Sequence, residues 1–502
     1  MSKQLLDTPF RHSLSLTSLA DQAWNYLSET VIQTGWSPIT KLSEAAVVAS
    51  LLRNLSSGHL RILTSSRIYT FPDHSTEEQT GYRAELRVLN DVFWVRLCFM
   101  GDLGFSEAYM YGDVECDDLV SLFRVFLDNR EELSNMDSSV SFLFQLPQKL
   151  TSYRFLNTIS NSRSNISAHY DISNDMFAGF LSKDMTYSCA IFNDLDGDLT
   201  EVGRGANGIN GINGINGIKY SPNEEERDEL YEAQMRKMRH ILKKANIQPG
   251  HRVLEIGSGW GAMAILIAQT VPDTTIDTLT LSVHQQTLAR ERIAAVGLED
   301  RISVHLMDYR DMPQHWEGIF DRFISIEMME AVGAEFLVTY WQKVNWALKK
   351  RGGVGVVQVI TMPEARFERY IGGIDFIQKW VIFPGCCIPT VTLLLQSMRE
   401  ASKGTLTVDS MTNIGPHYAR TLREWRRRFL DKYDSVIIPA LKREYPEVMS
   451  GSRGQSEIEI FKRKWIYYYC YCEVGFTTRT LGDHIITFTR EGCIDYGCNT
   501  FE

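Results

Sequence analysis

A chain of 502 residues with 44% hydrophobic content has room for more than one domain and excludes a disordered polymer. Its formal net charge of −10 argues against nonspecific nucleic-acid binding, which needs a basic footprint, and makes anionic membrane a poor match for the surface as a whole. No apolar run reaches the ~18 residues of a bilayer span, and Met1-Ser2-Lys3-Gln4 opens no charged-then-apolar leader, so a cytoplasmic chain is expected.

Within residues 1–150, Leu86 and Val88, then Phe93, Val95 and Leu97, alternate as half-buried strands do, and residues 117–129 carry a helical pattern, which predicts a small α+β domain. Residues 194–219 combine an acidic stretch (Asp194 to Asp198) with four Asn-Gly-Ile repeats at 207–218 and are expected to form a mobile surface loop between two folded parts. Ser221-Pro222 followed by Glu224, Glu225 and Glu226 reads as a helix start, with the helix running to about Ala245. A turn at 246–250 then leads into the strand Val253-Leu254-Glu255-Ile256. Further strands are expected at 274–281, 302–307, 320–326 and 353–361, with helical patterns between them. This alternation predicts an α/β domain over residues 151–502, with helices on both faces of a parallel sheet.

The strand at 253–256 runs straight into Gly257, Gly259 and Gly261 and then an apolar helix. Glycines there let backbone pass against a ligand, and ligands in such sheets sit beyond the carboxyl ends of the strands. Glu255 stands where its carboxylate could accept ligand hydrogen bonds. The G-x-G-x-G spacing is one residue short of the dinucleotide pattern, and no strand ending in Asp or Glu follows about twenty residues on. It resembles motif I of the S-adenosylmethionine-dependent methyltransferases.

Ordered segments sharpen that resemblance: His169-Tyr170-Asp171 through Phe177; Met185-Thr186-Tyr187-Ser188-Cys189-Ala190; Thr280-Leu281-Ser282 with Gln285; Asp308-Tyr309-Arg310-Asp311; Phe323 to Glu330; Phe376 to Gly385; His417 to Leu422; and Cys470 to Phe476. By these the chain is identified as a member of the cyclopropane fatty acid synthase family, which includes the mycolic acid cyclopropane synthases. Gly58 to Ile62 and Gly101 to Asp113 resemble the N-terminal domain of its longer bacterial and plant enzymes; a lipid-handling role for this domain rests on that resemblance.

The resemblance implies a class I methyltransferase (Rossmann-like) domain that binds S-adenosylmethionine. Cofactor contacts are expected from Tyr187, Ser188, Glu255, Gly257, Gly259, Gly261, Thr280, Leu281 and Gln285, and at the adenine from Asp308 and Tyr309. It implies methylene transfer to the cis double bond of an unsaturated acyl chain, esterified in a phospholipid, through a carbocation. In the family a bound bicarbonate takes the proton that closes the ring, and its binding positions correspond to Cys189, Glu330, Gln358, Ile360 and Tyr418. Gln358 stands where the bacterial signature has His, and Ala331 replaces the His that often follows the glutamate; Gln does not change charge near neutral pH as His does. Methyl transfer without ring closure, to a lipid or to the carbon or nitrogen of a small metabolite, therefore stays open, as does a silent lipid-binding protein. Homodimerisation and peripheral membrane contact stay open too.

Taken alone, Cys189 also reads as an inert core thiol, Tyr418 as a packed aromatic and Glu330 as a surface carboxylate at a helix start. The nine cysteines have neither a disulfide framework nor zinc spacing, and no metal is expected. Trp465 to Tyr469 could line an acyl tunnel or belong to the core. Leu422, Trp425 and Phe429 share a helix face ringed by Arg420, Arg423, Arg426, Arg427 and Arg428. Such a face suits an interfacial helix at a lipid surface, or it packs on the core with the arginines in water or paired to acids.

Overall fold

The computed structural model of the chain describes residues 37–72, 81–134, 173–199, 228–373, 375–381, 386–451, 454–494 and 496. His169 to Asp171, the repeat at 207–218, the helix start at Ser221 to Glu226 and the stretch Phe383 to Gly385 lie outside the described residues.

The N-terminal part comprises α1 (Ser37–Asn54), β1 (His59–Leu63), β2 (Ile68–Phe71), β3 (Arg83–Val88), α2 (Val92–Tyr111), β4 (Val114–Cys116) and α3 (Leu119–Asp128). Its sheet runs β2-β1-β3-β4. Leu86 and Val88 face inward on β3, and α3 starts at an Asp118 side chain that caps Val120 N–H. Phe93, Val95 and Leu97 correct the strand expectation, because they belong to helix α2. Val92 through Arg96 are all buried, Arg96 through ion pairs with Glu107 (3.1 Å) and Asp113 (3.0 Å). A helix turn buried on every side has no polar face, so its apolar pattern does not reveal its period.

The larger part comprises α4 (Asn174–Phe180), α5 (Glu229–Ala245), β5 (Arg252–Ile256), α6 (Ala262–Thr270), β6 (Thr275–Thr280), α7 (Val283–Ala295), β7 (Ile302–Leu306), β8 (Arg322–Ile326), α8 (Leu337–Ala347), β9 (Val354–Thr361), α9 (Val391–Ser402), β10 (Leu406–Asn413), α10 (Gly415–Asp431), α11 (Gly454–Thr477) and β11 (Gly482–Arg490). The sheet order is β10-β11-β9-β8-β5-β6-β7, parallel from β9 to β7 and antiparallel at β10 and β11. The four strands expected after the motif strand appear as β6, β7, β8 and β9. Residues 253–256 and 354–359 are buried, as strands covered by helices on both faces must be. Strand order reverses between β5 and β8, and the cleft expected of a doubly wound sheet opens beyond their carboxyl ends.

Helices α10 and α11 pack on one another through Phe429 and Trp465, and α11 carries the N-terminal part: Tyr467 packs on Phe105, Tyr109 and Phe123. The interfacial reading of α10 is overturned. Leu422, Trp425 and Phe429 are buried, Phe429 against Trp465 and Tyr469. The arginines are paired: Arg420 with Asp198 and Glu229, Arg423 with Asp198, Arg426 with Glu473, Arg427 with Glu424 and Asp431, Arg428 with Asp228. The loop expectation is corrected over Asp194 to Asp198, since Asp198 lies against two α10 arginines. Phe429→Ala is expected to cost about 3–5 kcal/mol of stability, the range for emptying a buried aromatic site, in urea unfolding. Replacing Arg426, Arg427 and Arg428 together by Gln should lower the same midpoint while leaving sedimentation with anionic vesicles unchanged. A selective loss of vesicle binding would restore the interfacial reading.

Candidate functional site

The cleft begins where β5 ends. Gly257 adopts φ 101°, and a Cβ there would stand 3.2 Å from the Met328 side chain. Gly259, at φ 49°, has nothing within 4 Å of a would-be Cβ, which leaves a space that a ligand can fill. Tyr187, Ser188, Glu255, Gly257, Gly259, Thr280, Leu281, Gln285 and Tyr309 line one cleft together with Met185, Met238, Met263, Glu327 and Met328. Two expected cofactor residues do not reach it. Gly261 instead starts helix α6 with φ 85°, its position packed against Ala289. The buried Asp308 carboxylate is occupied by Arg310 through Nε (2.8 Å), Nη2 (2.6 Å) and the backbone N–H (2.9 Å), so it organises its own turn and leaves Tyr309 at the cleft.

Polar groups around the cleft are pre-oriented. Thr278 Oγ1 donates to Glu255 Oε2 (2.5 Å), and burial pushes the Glu255 carboxyl up to about 8. Thr280 Oγ1 donates to Gln285 Oε1 (2.8 Å). Ser188 Oγ accepts from Lys237 Nζ (2.6 Å), a lysine with no solvent exposure whose proton affinity burial lowers. The Tyr187 ring stacks on Trp425, and its hydroxyl pairs with that of Tyr468 (2.9 Å).

Beyond the cleft wall the expected catalytic residues converge, on a residue sequence reasoning did not select. Glu327 follows β8 with φ 46°, held by its N–H to Gln358 O (2.7 Å). Its Oε1 accepts from the Cys189 N–H (2.7 Å) and from Gln358 Nε2 (2.8 Å), and its Oε2 accepts from the Tyr418 hydroxyl (2.6 Å). Gln358 Nε2 also donates to Asp483 Oδ2 (2.7 Å). Glu330 is buried on a 3₁₀ turn, with Oε1 accepting from the Ile360 N–H (2.5 Å) and Oε2 without a partner among the described residues. Tyr418 stacks on Phe476 (4.4 Å between centroids).

Burial governs the electrostatics here. It raises the Glu327 carboxyl well above its ordinary range, with Asp483 adding repulsion; it pushes Glu330 up to about 8, with Glu327 adding to it, and Asp483 up to about 7. The Cys189 thiol, raised by burial and by the same acids, stays protonated and takes part through its backbone. Lys237 and Asp483 were missed along with Glu327. Lys237 could have been found as a cation in register with Leu230, Ala233, Met238 and Ile241 on the buried face of α5. Asp483 is the second residue of β11 and Glu327 directly follows β8, so an acid at the edge of a mainly apolar strand was the available signal.

The profile described as mycolic acid cyclopropane synthetase matches residues 158–483. A tuberculostearic acid methyltransferase of Mycobacterium tuberculosis is 34% identical over 392 residues, covering 78% of this chain and 80% of the relative. A cyclopropane-fatty-acyl-phospholipid synthase of Escherichia coli is 29% identical over 409 residues, covering 81% and 88%. The crystal structure of a coclaurine N-methyltransferase with N-methylheliamine and SAH superposes with a TM-score of 0.53 at 17% identity, covering 77% of this chain and 98% of that one, which shows the shared fold.

A carboxyl whose folded pKa lies above its unfolded value contributes stability that is complete below the unfolded pKa and lost as pH rises toward the folded one. For Glu330, ordinary value 4.5 and folded value about 8, that window is pH 4.5 to 8. Glu330→Gln should therefore flatten the fall in melting temperature across this window in calorimetry; an unchanged slope would mean Glu330 ionises freely.

Proposed function

This chain belongs to the mycolic acid cyclopropane synthetase family, and we propose that it transfers the methyl carbon of S-adenosylmethionine to the cis double bond of an unsaturated acyl chain in a phospholipid and closes a cyclopropane ring. The observation that carries this reading is that Glu327 lines the same cleft as the glycines after β5 and is held by three hydrogen bonds from Cys189, Gln358 and Tyr418. A methyl donor seated at the glycines would lie beside a proton acceptor fixed in the cleft wall.

An alkene is a weak nucleophile, so its π bond must be held in line with the sulfonium methyl with water kept out. Met185, Met238, Met263 and Met328 make the cleft largely apolar, and the Tyr187 ring at its wall favours a developing cation. S-adenosylmethionine, when bound, supplies the electrophilic methyl; Thr280, Gln285 and Glu255 supply polar groups around it. The alkene π pair forms the new carbon–carbon bond, the sulfur–methyl pair stays on sulfur, and a carbocation remains on the chain. Loss of a proton from the new methyl group lets its C–H pair close the ring.

A second reading is favoured by the similarity to the tuberculostearic acid methyltransferase: the methyl group is kept as a branch. A saturated branch then needs a hydride from a separate donor, whereas ring closure balances by proton loss alone. No described helix is long and apolar enough to cross a membrane.

Incubation with methyl-labelled S-adenosylmethionine and vesicles of monounsaturated phospholipid is expected to yield a product heavier by one methylene with upfield cyclopropane proton resonances. Vinyl or methyl-doublet resonances in its place would support the branch. Gly259→Val fills the free space after β5 at a backbone strain cost of about 1–3 kcal/mol. It should abolish S-adenosylmethionine binding in calorimetry while the protein stays folded, and unchanged affinity would overturn the cofactor assignment.

A further inference from the structure

We propose that the Glu327 side chain occupies the place expected for bicarbonate and is itself the base that accepts the proton at ring closure. This rests on the methyl-transfer reading above. The resemblance assigns bicarbonate to groups of Cys189, Gln358, Tyr418, Glu330 and Ile360. In this chain the first three donate to Glu327, and the Ile360 N–H donates to Glu330. The donors an exogenous anion would need are already satisfied by two of the chain's own carboxylates. A bound anion would also be a fourth acidic group beside Glu327, Glu330 and Asp483, where Lys237 is the cation acting on Glu327 and Asp483. Bicarbonate does not fit.

The geometry suits the alternative. A carboxylate has about four lone-pair sites, and three are filled here, two on Oε1 and one on Oε2. One site on Oε2 is left for a proton, and Glu327 is the acid of the three that lines the cleft. The donors come from the Met185–Ala190 loop segment, β9 and α10, so the carboxylate is fixed from three directions, and hydrogen bonding limits its tendency to capture the cation as an ester.

Gln358 then has a positioning role that His would fill less well. Its Nε2 carries two hydrogens and bridges Glu327 (2.8 Å) and Asp483 (2.7 Å). An imidazole between two carboxylates would take up a proton and, as a cation, weaken the base; the amide stays neutral. The departure at Gln358 and the carboxylate at Glu327 form one device. In the proposed step the C–H bond of the transferred methyl breaks, its electron pair forms the third ring bond to the cationic carbon, and the proton goes to Glu327 Oε2. The neutral thioether product of the methyl donor leaves, and the proton passes to solvent before the next turnover.

The test compares turnover on monounsaturated phospholipid vesicles in carbonate-free buffer and with added bicarbonate. Wild-type protein is expected to turn over equally in both. Glu327→Gln should lose about 10²- to 10⁴-fold in turnover, the range for general-base catalysis, with S-adenosylmethionine affinity within about threefold of wild type. Glu327→Gly opens the position, and added bicarbonate should restore part of its activity saturably. Wild-type turnover that needs added bicarbonate, or a Glu327→Gln variant with normal turnover, would overturn the assignment of the base while leaving methyl transfer standing. Absence of any methylated product from wild-type protein, with S-adenosylmethionine bound, would overturn the function itself and this inference with it.

Discussion

The Glu327 carboxylate is the interaction on which the site depends. It is half-buried at the cleft wall, and a charge withdrawn from water is tolerated only where donors replace the water it has lost. Those donors are a backbone N–H at Cys189, a side-chain amide of Gln358 on β9 and the phenol of Tyr418 on α10, three points on separate elements. Meeting that demand fixes the loop before α5, the end of β9 and the first turns of α10 against one another. The same meeting point lies on the wall of the cleft that β5 opens.

The rest of the larger part can be understood as support for that junction. Helix α10 brings Tyr418 to the carboxylate only if its apolar stripe is held, which Trp425 and Phe429 achieve by packing on Tyr187, Trp465 and Tyr469. Its arginines neutralise acids from the segment around Asp198, from Asp228 and from α11. Helix α11 carries the N-terminal part through Tyr467, and Lys379 reaches from the larger part to Glu107 (2.8 Å). The N-terminal part is thus joined to the helix that also backs the site.

Much of the sheet was legible in sequence because β-strands buried on both faces read as short apolar runs with turns between them, and β6, β7, β8 and β9 fall where those runs lie. The glycine cradle was legible for a related reason, since positive φ at Gly257 and Gly259 requires that residue type. What local pattern could not convey was partnership. Asp308 was expected at the ligand, but Arg310 two residues on occupies its carboxylate. The α10 arginines read as a membrane face because the acids that pair with Arg420, Arg423, Arg426 and Arg428 are far away in the chain. Phe93, Val95 and Leu97 read as a strand because Trp94 and Arg96 between them are buried too, Arg96 by paired acids. Glu327 itself was visible only as one letter of a familiar segment, and its importance comes from three distant donors.

Methyl transfer followed by proton loss from the transferred carbon is the central claim, and it has a direct isotopic signature. With S-adenosylmethionine trideuterated in its methyl group and a monounsaturated phospholipid as acceptor, mass spectrometry of the released fatty acyl product counts the deuterons that survive. The account predicts that two remain, the third having been removed as the ring closed. Retention of all three would contradict it, because the transferred methyl would then have served no proton to any base.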